Sequence, residues 1–308
     1  MNSQKTFLTQ WTAALVLGLS LPAFSAAGEH PPKAPALLSQ DELQKRLSDA
    51  KLRLLDARPR ADYDQGHIPG AVWVDGKIFQ ELSRPEAFAD QTAWAQSLAP
   101  LGITSDTEVY IYDGSRQHDA SRIWWLLSYA GVERVGLIDG GFPLWERQGH
   151  PVSTEVPAVA PRPLAVQFHS KWVAPRAEIQ AAIAKGEIQL LDARSAAEHR
   201  GEKSPPGSSR AGHIPTARSL DAYDLVDADG KFLDPATQRE RLAQAGIVAD
   251  RPVIAYSNTG GRSSIAVFAL RRLGIHVRHY YQGLAEWSKD ASAALVQGDK
   301  PGDGSSSK

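Results

Sequence analysis

One block of this chain is written twice. Leu54-Leu55-Asp56-Ala57-Arg58 recurs as Leu190-Leu191-Asp192-Ala193-Arg194, and Gly66-His67-Ile68-Pro69 recurs as Gly212-His213-Ile214-Pro215. Further along, Val109-Tyr110-Ile111-Tyr112 is matched by Val253-Ile254-Ala255-Tyr256, and Gly141 with Trp145 by Gly283 with Trp287. Marks repeated in one order with drifting spacing imply duplication of a unit of about 120 residues, a normal domain size. The second copy carries an extra stretch, Gly201–Arg210 (GEKSPPGSSR), whose Gly, Pro and Ser signal a surface loop. Whatever fold one copy adopts, the other must adopt too.

Each copy alternates strand and helix patterns. Short apolar runs at Leu52–Leu55 and Ile188–Leu191 follow helical segments at Leu43–Leu47 and Arg176–Ala184. The runs Val109–Tyr112 and Val253–Tyr256 precede helical stretches at Ala120–Ala130 and Ser263–Leu273, and further apolar runs follow at Val135–Ile138 and Val277–Tyr281. The alternation predicts an α/β protein of two similar domains, each a central, mostly parallel sheet with helices on both faces. The expected layout is a signal peptide at 1–27, domain 1 at 37–152, a linker at 153–171 containing the stiff Pro157–Pro163 stretch, domain 2 at 172–290 and a disordered tail at 291–308. The first segment has the form of an export signal: Lys5, an apolar run from Ala13 to Leu21, then Pro22 and the small residues Ala23, Ser25, Ala26 and Ala27. Its apolar run is shorter than the ~20 residues that span a bilayer. The expectation is a periplasmic or secreted protein with no stable membrane insertion once the signal is removed.

Charge and cysteine content narrow the function. With 34 Lys and Arg against 35 Asp and Glu, the formal net charge is -1, which gives no basic excess for nucleic acid. There is no cysteine at all. That excludes disulfides, Cys-ligated zinc, Fe–S clusters and any thiol nucleophile. No Rossmann fingerprint or Walker loop is present, and the nine histidines show no ligand-type spacing beyond a weak His276–His279 pair. No metal or cofactor is expected.

The most informative segment is Ser257-Asn258-Thr259-Gly260-Gly261-Arg262, set between a strand and a helix start. Paired glycines permit a tight turn, which aims successive N–H groups at one point. The helix N-terminus adds unpaired N–H groups and the positive end of its dipole. The guanidinium of Arg262 is a planar fork suited to an oxyanion. Ser257 would sit at the centre of this cradle, with Ser263 at its edge. The same residues also suit a plain strand–helix turn with a solvent-facing arginine.

Taken together, these motifs resemble a tandem-domain rhodanese, the thiosulfate sulfurtransferase family, over roughly residues 37–290. The resemblance is carried by both LLDAR motifs, Gly66–Ala71, Tyr112–Gly131, Asp139–Trp145, Ala211–Ala217, Tyr256–Ser264 and Gln282–Trp287. It implies two α/β domains, of which only the second bears a reactive loop. In that loop a cysteine takes sulfane sulfur from thiosulfate as a persulfide and passes it to an acceptor such as cyanide or a thiol. Here the corresponding residue is Ser257. A hydroxyl ionises far less readily than a thiol and needs an adjacent base. Oxygen cannot carry a persulfide. The segment Glu198-His199-Arg200-Gly201 leaves the family's substrate arginine either shifted to Arg200 or missing. In the first copy Asp113 stands at the matching position, which implies a non-catalytic scaffold forming one wall of a cleft that Arg116, His118 and Arg122 could face.

The candidates for a base beside Ser257 are His199, His213, His276 and His279. His213, in the shared GHIP turn, reads as structural, while His276 and His279 lie beyond the helix. Trp124 and Trp125 read as core and interdomain packing. The expected function is an exported rhodanese-family protein that binds a small sulfur oxyanion such as thiosulfate, or a protein partner, and is deficient in persulfide chemistry. The alternatives are an active sulfurtransferase working by an atypical route and a protein-interaction scaffold.

Overall fold

The computed structural model describes residues 34–186, 188–205 and 210–302. The expected signal peptide at 1–27 and the end of the tail lie outside them.

The first copy runs β1 (Ala36–Leu38), α1 (Gln40–Arg46), β2 (Leu52–Asp56), α2 (Arg60–Gln65), β3 (Val72–Trp73), α3 (Gly76–Leu82), α4 (Gln91–Leu98), β4 (Glu108–Tyr112), α5 (His118–Tyr129), β5 (Val135–Ile138) and α6 (Gly141–Arg147). Its strands form one parallel sheet in the order β1-β5-β4-β2-β3. The second copy runs α7 (Arg176–Lys185), β6 (Gln189–Asp192), α8 (Ala196–His199), β7 (Arg218–Ser219), α9 (Pro235–Gln244), β8 (Val253–Tyr256), α10 (Gly261–Arg272), β9 (Val277–Tyr280) and α11 (Gly283–Trp287). Its parallel sheet is ordered β7-β6-β8-β9. The place that β1 takes in the first sheet is held here by a single parallel bridge from Val173 to His279.

The repeated motifs are buried polar braces. Asp56 and Asp192 are both fully buried, each gripped by the arginine two residues on. Arg58 then donates to the Gly66 carbonyl at 2.6 Å, and Arg194 to that of Gly212 at 2.8 Å. These contacts tie the end of one strand to the GHIP turn. Tyr112 and Tyr256 close the braces, their hydroxyls accepting from the amides of Ile68 and Ile214. A buried ion pair adds little net stability, but removing one partner leaves the other charge uncompensated, so the motif is kept whole in both copies. Burial opposes the charge on Asp192, yet Arg194 and His199 hold its carboxyl far below the ordinary range.

Helices α5 and α10 begin two residues earlier than their apolar periodicity suggests. Gln117 (φ 71°) and Gly260 (φ 82°) end the preceding loops in the left-handed region and turn the chain directly into the helix. The two helices pack against each other across the domain boundary. Trp124 meets Phe268 edge-on at 4.8 Å, and Trp125 stacks on Tyr281 at 4.8 Å. Both tryptophans are buried and bridge the two copies.

Residues 291–302, the start of the stretch read as a tail, carry hydrogen bonds to domain 2. Val296 exchanges backbone hydrogen bonds with His213, Gly298 donates to the Arg200 carbonyl, and Arg210 donates to the carbonyls of Asp290 and Ala293. Part of the backbone of this stretch is satisfied against the GHIP turn and the end of α8. The linker at 153–171 is likewise held to domain 1, with Ser153 bridged to His67 and Gln167 to Ala130.

Candidate active-site loop

Both copies place a tight loop at the carboxyl end of the central strand, β4 or β8. The first copy shows what such a loop holds. The Asp113 carboxylate accepts four backbone N–H bonds, from Ser115 and Gln117 on one oxygen and from Asp119 and Ala120 on the other, at 2.8–3.1 Å. Two of these donors belong to the first turn of α5, where N–H groups lack intrahelical partners. Burial raises the Asp113 pKa above the ordinary range, and the amide donors pull the other way. The Asp113 carboxylate itself fills the anion seat of this loop.

In the second copy the residue at the strand end is Ser257, 1% exposed. Its carbonyl accepts from Leu284 at 2.9 Å, as the Asp113 carbonyl accepts from Phe142. Gly283 and Gly141, in the left-handed region, let α11 and α6 approach that closely; a Cβ on either would collide with the loop carbonyl. The Ser257 hydroxyl lies 3.0 Å from that of Ser263. It is too short to serve the loop amides. Among the described residues, no protein acceptor pairs with the backbone N–H groups from Asn258 to Ser263.

The fate of each expected site residue differs. Arg262 is not a free anion ligand. Its Nη2 donates to Glu198 Oε1 at 2.8 Å and its Nη1 to Oε2, while Asn258 Nδ2 adds a bond at 3.2 Å. Burial alone would raise the Glu198 pKa, but the bonds from Arg262 and Ser195 outweigh it and hold it down at about 2. Glu198, on α8, is therefore a partner of the loop that the sequence reading missed. Its one visible signal was the capping box with Ser195, which explains α8 without pointing across to Arg262. Arg200 does not line the loop. It pairs with Glu202 at 2.6 Å and faces Asp299. It follows α8 on the side where residues 291–302 pack, whereas Glu198, two residues earlier, faces the loop. Thr259 is exposed at the loop tip.

Domain 1 contributes more than a wall. His118 and Arg122 lie so close to Gly261 that a Cβ there would collide with both. Arg122 Nε is buried without an acceptor. Arg116 instead docks on domain 2, donating to the Tyr223 carbonyl at 3.2 Å and lying over the Tyr223 ring. The positive charge at the helix start of domain 2 is thus supplied by its neighbour, since Arg262 is neutralised by Glu198.

The base candidates also sort out. His199 is held by Asp192 at 3.1 Å, and His213 stacks on His199 and bonds its carbonyl, so both serve the buried brace. His276 precedes β9, and its carbonyl accepts from Val253. His279, read as lying away from the loop, in fact reaches it through one side chain. Its Nε2 is 2.6 Å from Ser263 Oγ, which in turn bonds Ser257. Parallel pairing of β9 beside β8 brings it under the loop. Burial, with the charge of Arg271, pushes this imidazole well below its ordinary pKa. Nδ1 has no partner, so no carboxylate orients the ring. A base so weakened and unoriented does not make Ser257 a strong nucleophile.

Among the described residues no group of three or more His, Asp or Glu could hold a metal ion, and no helix is long and apolar enough to cross a membrane.

Comparison with known proteins agrees with this architecture. The chain matches the rhodanese-like domain family twice, over 39–148 and 176–290. It is 32% identical over 279 residues to the sulfur carrier protein TtuD of Thermus thermophilus, covering 86% of this chain and 97% of that protein. It is 31% identical over 257 residues to the thiosulfate sulfurtransferase of Azotobacter vinelandii, covering 82% and 94%. Among solved structures, it superposes on SseA of Escherichia coli, a 3-mercaptopyruvate sulfotransferase with the rhodanese fold, with a TM-score of 0.71 at 24% identity over 81% of this chain and 99% of that one. It superposes on YnjE with a TM-score of 0.77 at 24% identity, covering 88% and 70%. Duplicated buried braces, two parallel sheets and a loop of inward amides at the end of each central strand belong together: the chain is a member of the rhodanese family, with two rhodanese-like domains in tandem.

Proposed function

We propose that this protein binds a small sulfur oxyanion such as thiosulfate in the loop 257–263 and does not turn it over through a persulfide. The observation that carries this reading is the first copy's loop, where a carboxylate already sits on four backbone N–H groups. Ser257 shortens that side chain, and the amides of the second loop have no protein acceptor among the described residues. Arg122 and His118 supply cationic or donor groups beside Gly261. The sequence has no cysteine, so the sulfur chemistry of relatives named as sulfurtransferases has no thiol to run on. The low basicity of His279 argues against a serine route. The test is paired. Thiosulfate should raise the thermal midpoint of the protein, because a ligand bound only by the folded state stabilises it. Thiosulfate with cyanide should yield no thiocyanate above background. Thiocyanate formation would overturn the reading. An unchanged midpoint would favour a protein-interaction scaffold.

Glu198 sets the affinity in this reading. Glu198→Gln removes a carboxylate from the loop mouth and frees the Arg262 guanidinium, so thiosulfate should bind about tenfold tighter, a change of ~1.4 kcal/mol. The same variant has a pH signature. Because the folded pKa of Glu198 is depressed from 4.5 to about 2, its stabilising contribution is present above pH 4.5 and is lost as pH falls toward 2. The wild-type midpoint should fall more steeply than that of Glu198→Gln across this window, as thermal scans at stepped pH would show.

We further propose that residues 1–27 direct export, from the Lys5, Ala13–Leu21 and Ser25–Ala27 pattern. N-terminal sequencing of the protein from its native host should find it begin after Ser25 or Ala27.

A further inference from the structure

A cavity of roughly 600 Å³ opens between the two domains at the amino ends of β4 and β5. Arg271 lines it, ten residues beyond Gly261 on α10 and so about 15 Å along the helix axis from the loop. The side chain is 4% exposed, yet Nε and Nη2 have no hydrogen-bond acceptor. Its guanidinium lies 3.8 Å from the centre of the Trp172 ring and 5.9 Å from that of Trp124. A buried guanidinium with unpaired N–H groups is costly, and stacking on indole offsets only part of that. Burial lowers its pKa to about 10, which leaves it charged at neutral pH.

The rest of the wall says what kind of anion fits. Trp124, Trp172, Val132, Val135 and Tyr110 give it an apolar and aromatic lining. Glu108 and Glu133 also face it; Glu108 is paired with Arg46 at 2.8 Å, and Arg134 lies beside Glu133. His169 stacks on Trp172, and burial lowers its pKa, so it adds no charge at neutral pH. With Glu108 paired to Arg46 and Glu133 offset by Arg134 on the same wall, the open guanidinium of Arg271 leaves one uncompensated positive charge, which favours a single negative charge carried by an apolar body.

We propose that this cavity binds a small organic monocarboxylate, with its carboxylate on Arg271 and its apolar part against Trp172 and Trp124. The test uses the full chain and calorimetry with phenylacetate, with sulfate as the inorganic comparison. Phenylacetate should bind the wild type more tightly than sulfate does at this site. Arg271→Met, which keeps the stem against Trp172, should weaken phenylacetate binding at least about tenfold. Val132→Phe, which narrows the cavity and leaves the guanidinium in place, should weaken it as well. Ser257→Asp, which fills the other site, should leave phenylacetate affinity unchanged. Retained phenylacetate binding in Arg271→Met and Val132→Phe, no binding by the wild type, or loss of binding in Ser257→Asp would overturn the proposal.

Discussion

Ser257→Cys is expected to turn on sulfur transfer. At the end of β8, ahead of the N-terminus of α10, a thiol gains from the helix dipole, the unpaired amides of the loop and the charge of Arg122 beside Gly261, all of which favour a thiolate. The Ser263 hydroxyl, 3.0 Å from the present Ser257 oxygen, can donate to it. The thiolate attacks the outer sulfur of thiosulfate, the S–S bond breaks, and sulfite leaves. Cyanide then takes the sulfur as thiocyanate and restores the thiolate. Removing a nucleophile costs other enzymes up to ~10⁶-fold, so restoring one in an otherwise formed site should raise the rate on the order of 10³-fold or more. Thiocyanate release measured on both proteins checks it, with mass spectrometry of the variant showing an added sulfur after thiosulfate alone. An inert variant that still binds thiosulfate would mean that Glu198 and Arg262 form a loop built for something other than sulfur transfer.

Asp113→Ser should be the most destabilising change at either loop. It leaves the amides of Ser115, Gln117, Asp119 and Ala120 without their acceptor in a buried turn. At ~1–3 kcal/mol for each unsatisfied buried donor, partly relieved by relaxation and water, the loss should be about 3–5 kcal/mol. For a protein of this size that lowers the thermal midpoint by roughly 10 °C. Adding sulfate or thiosulfate should recover part of the loss, because the first loop then becomes an anion seat like the second. Thermal scans with and without sulfate measure both effects. A small loss with no anion rescue would show that the carboxylate is not the keystone of that turn.

The fold was open to reading because its repeated marks are not surface decoration. Asp56 and Arg58, like Asp192 and Arg194, recur because a buried brace fails if either partner changes. The strands read true since apolar runs buried on both faces leave little ambiguity. Helices α3, α4 and α9 carried weaker patterns. They cap themselves with Asp75, Asp90 and Asp234, signals that a pass for apolar periodicity overlooks. The loop 257–262 was found from its glycines and its place between strand and helix. Its electrostatics were not, because they depend on partners distant in sequence. Glu198 reaches Arg262 from α8 and His279 reaches Ser263 from β9; of the partners, His118 and Arg122, which lie against Gly261 from the other domain, were the ones already expected at the cleft. Local patterning gives a residue's type and secondary structure, whereas charge balance in a cleft is decided by which elements the topology brings side by side.

The central claim is that the second loop is an anion seat that the first loop fills with its own side chain. Calorimetric titration of thiosulfate into the wild type and into Ser257→Asp tests it most directly. The wild type should bind, and Ser257→Asp should lose binding while gaining thermal stability, as its new carboxylate takes the amides that Asp113 takes in the first copy. Equal thiosulfate binding by both proteins, or a destabilised Ser257→Asp, would contradict the account.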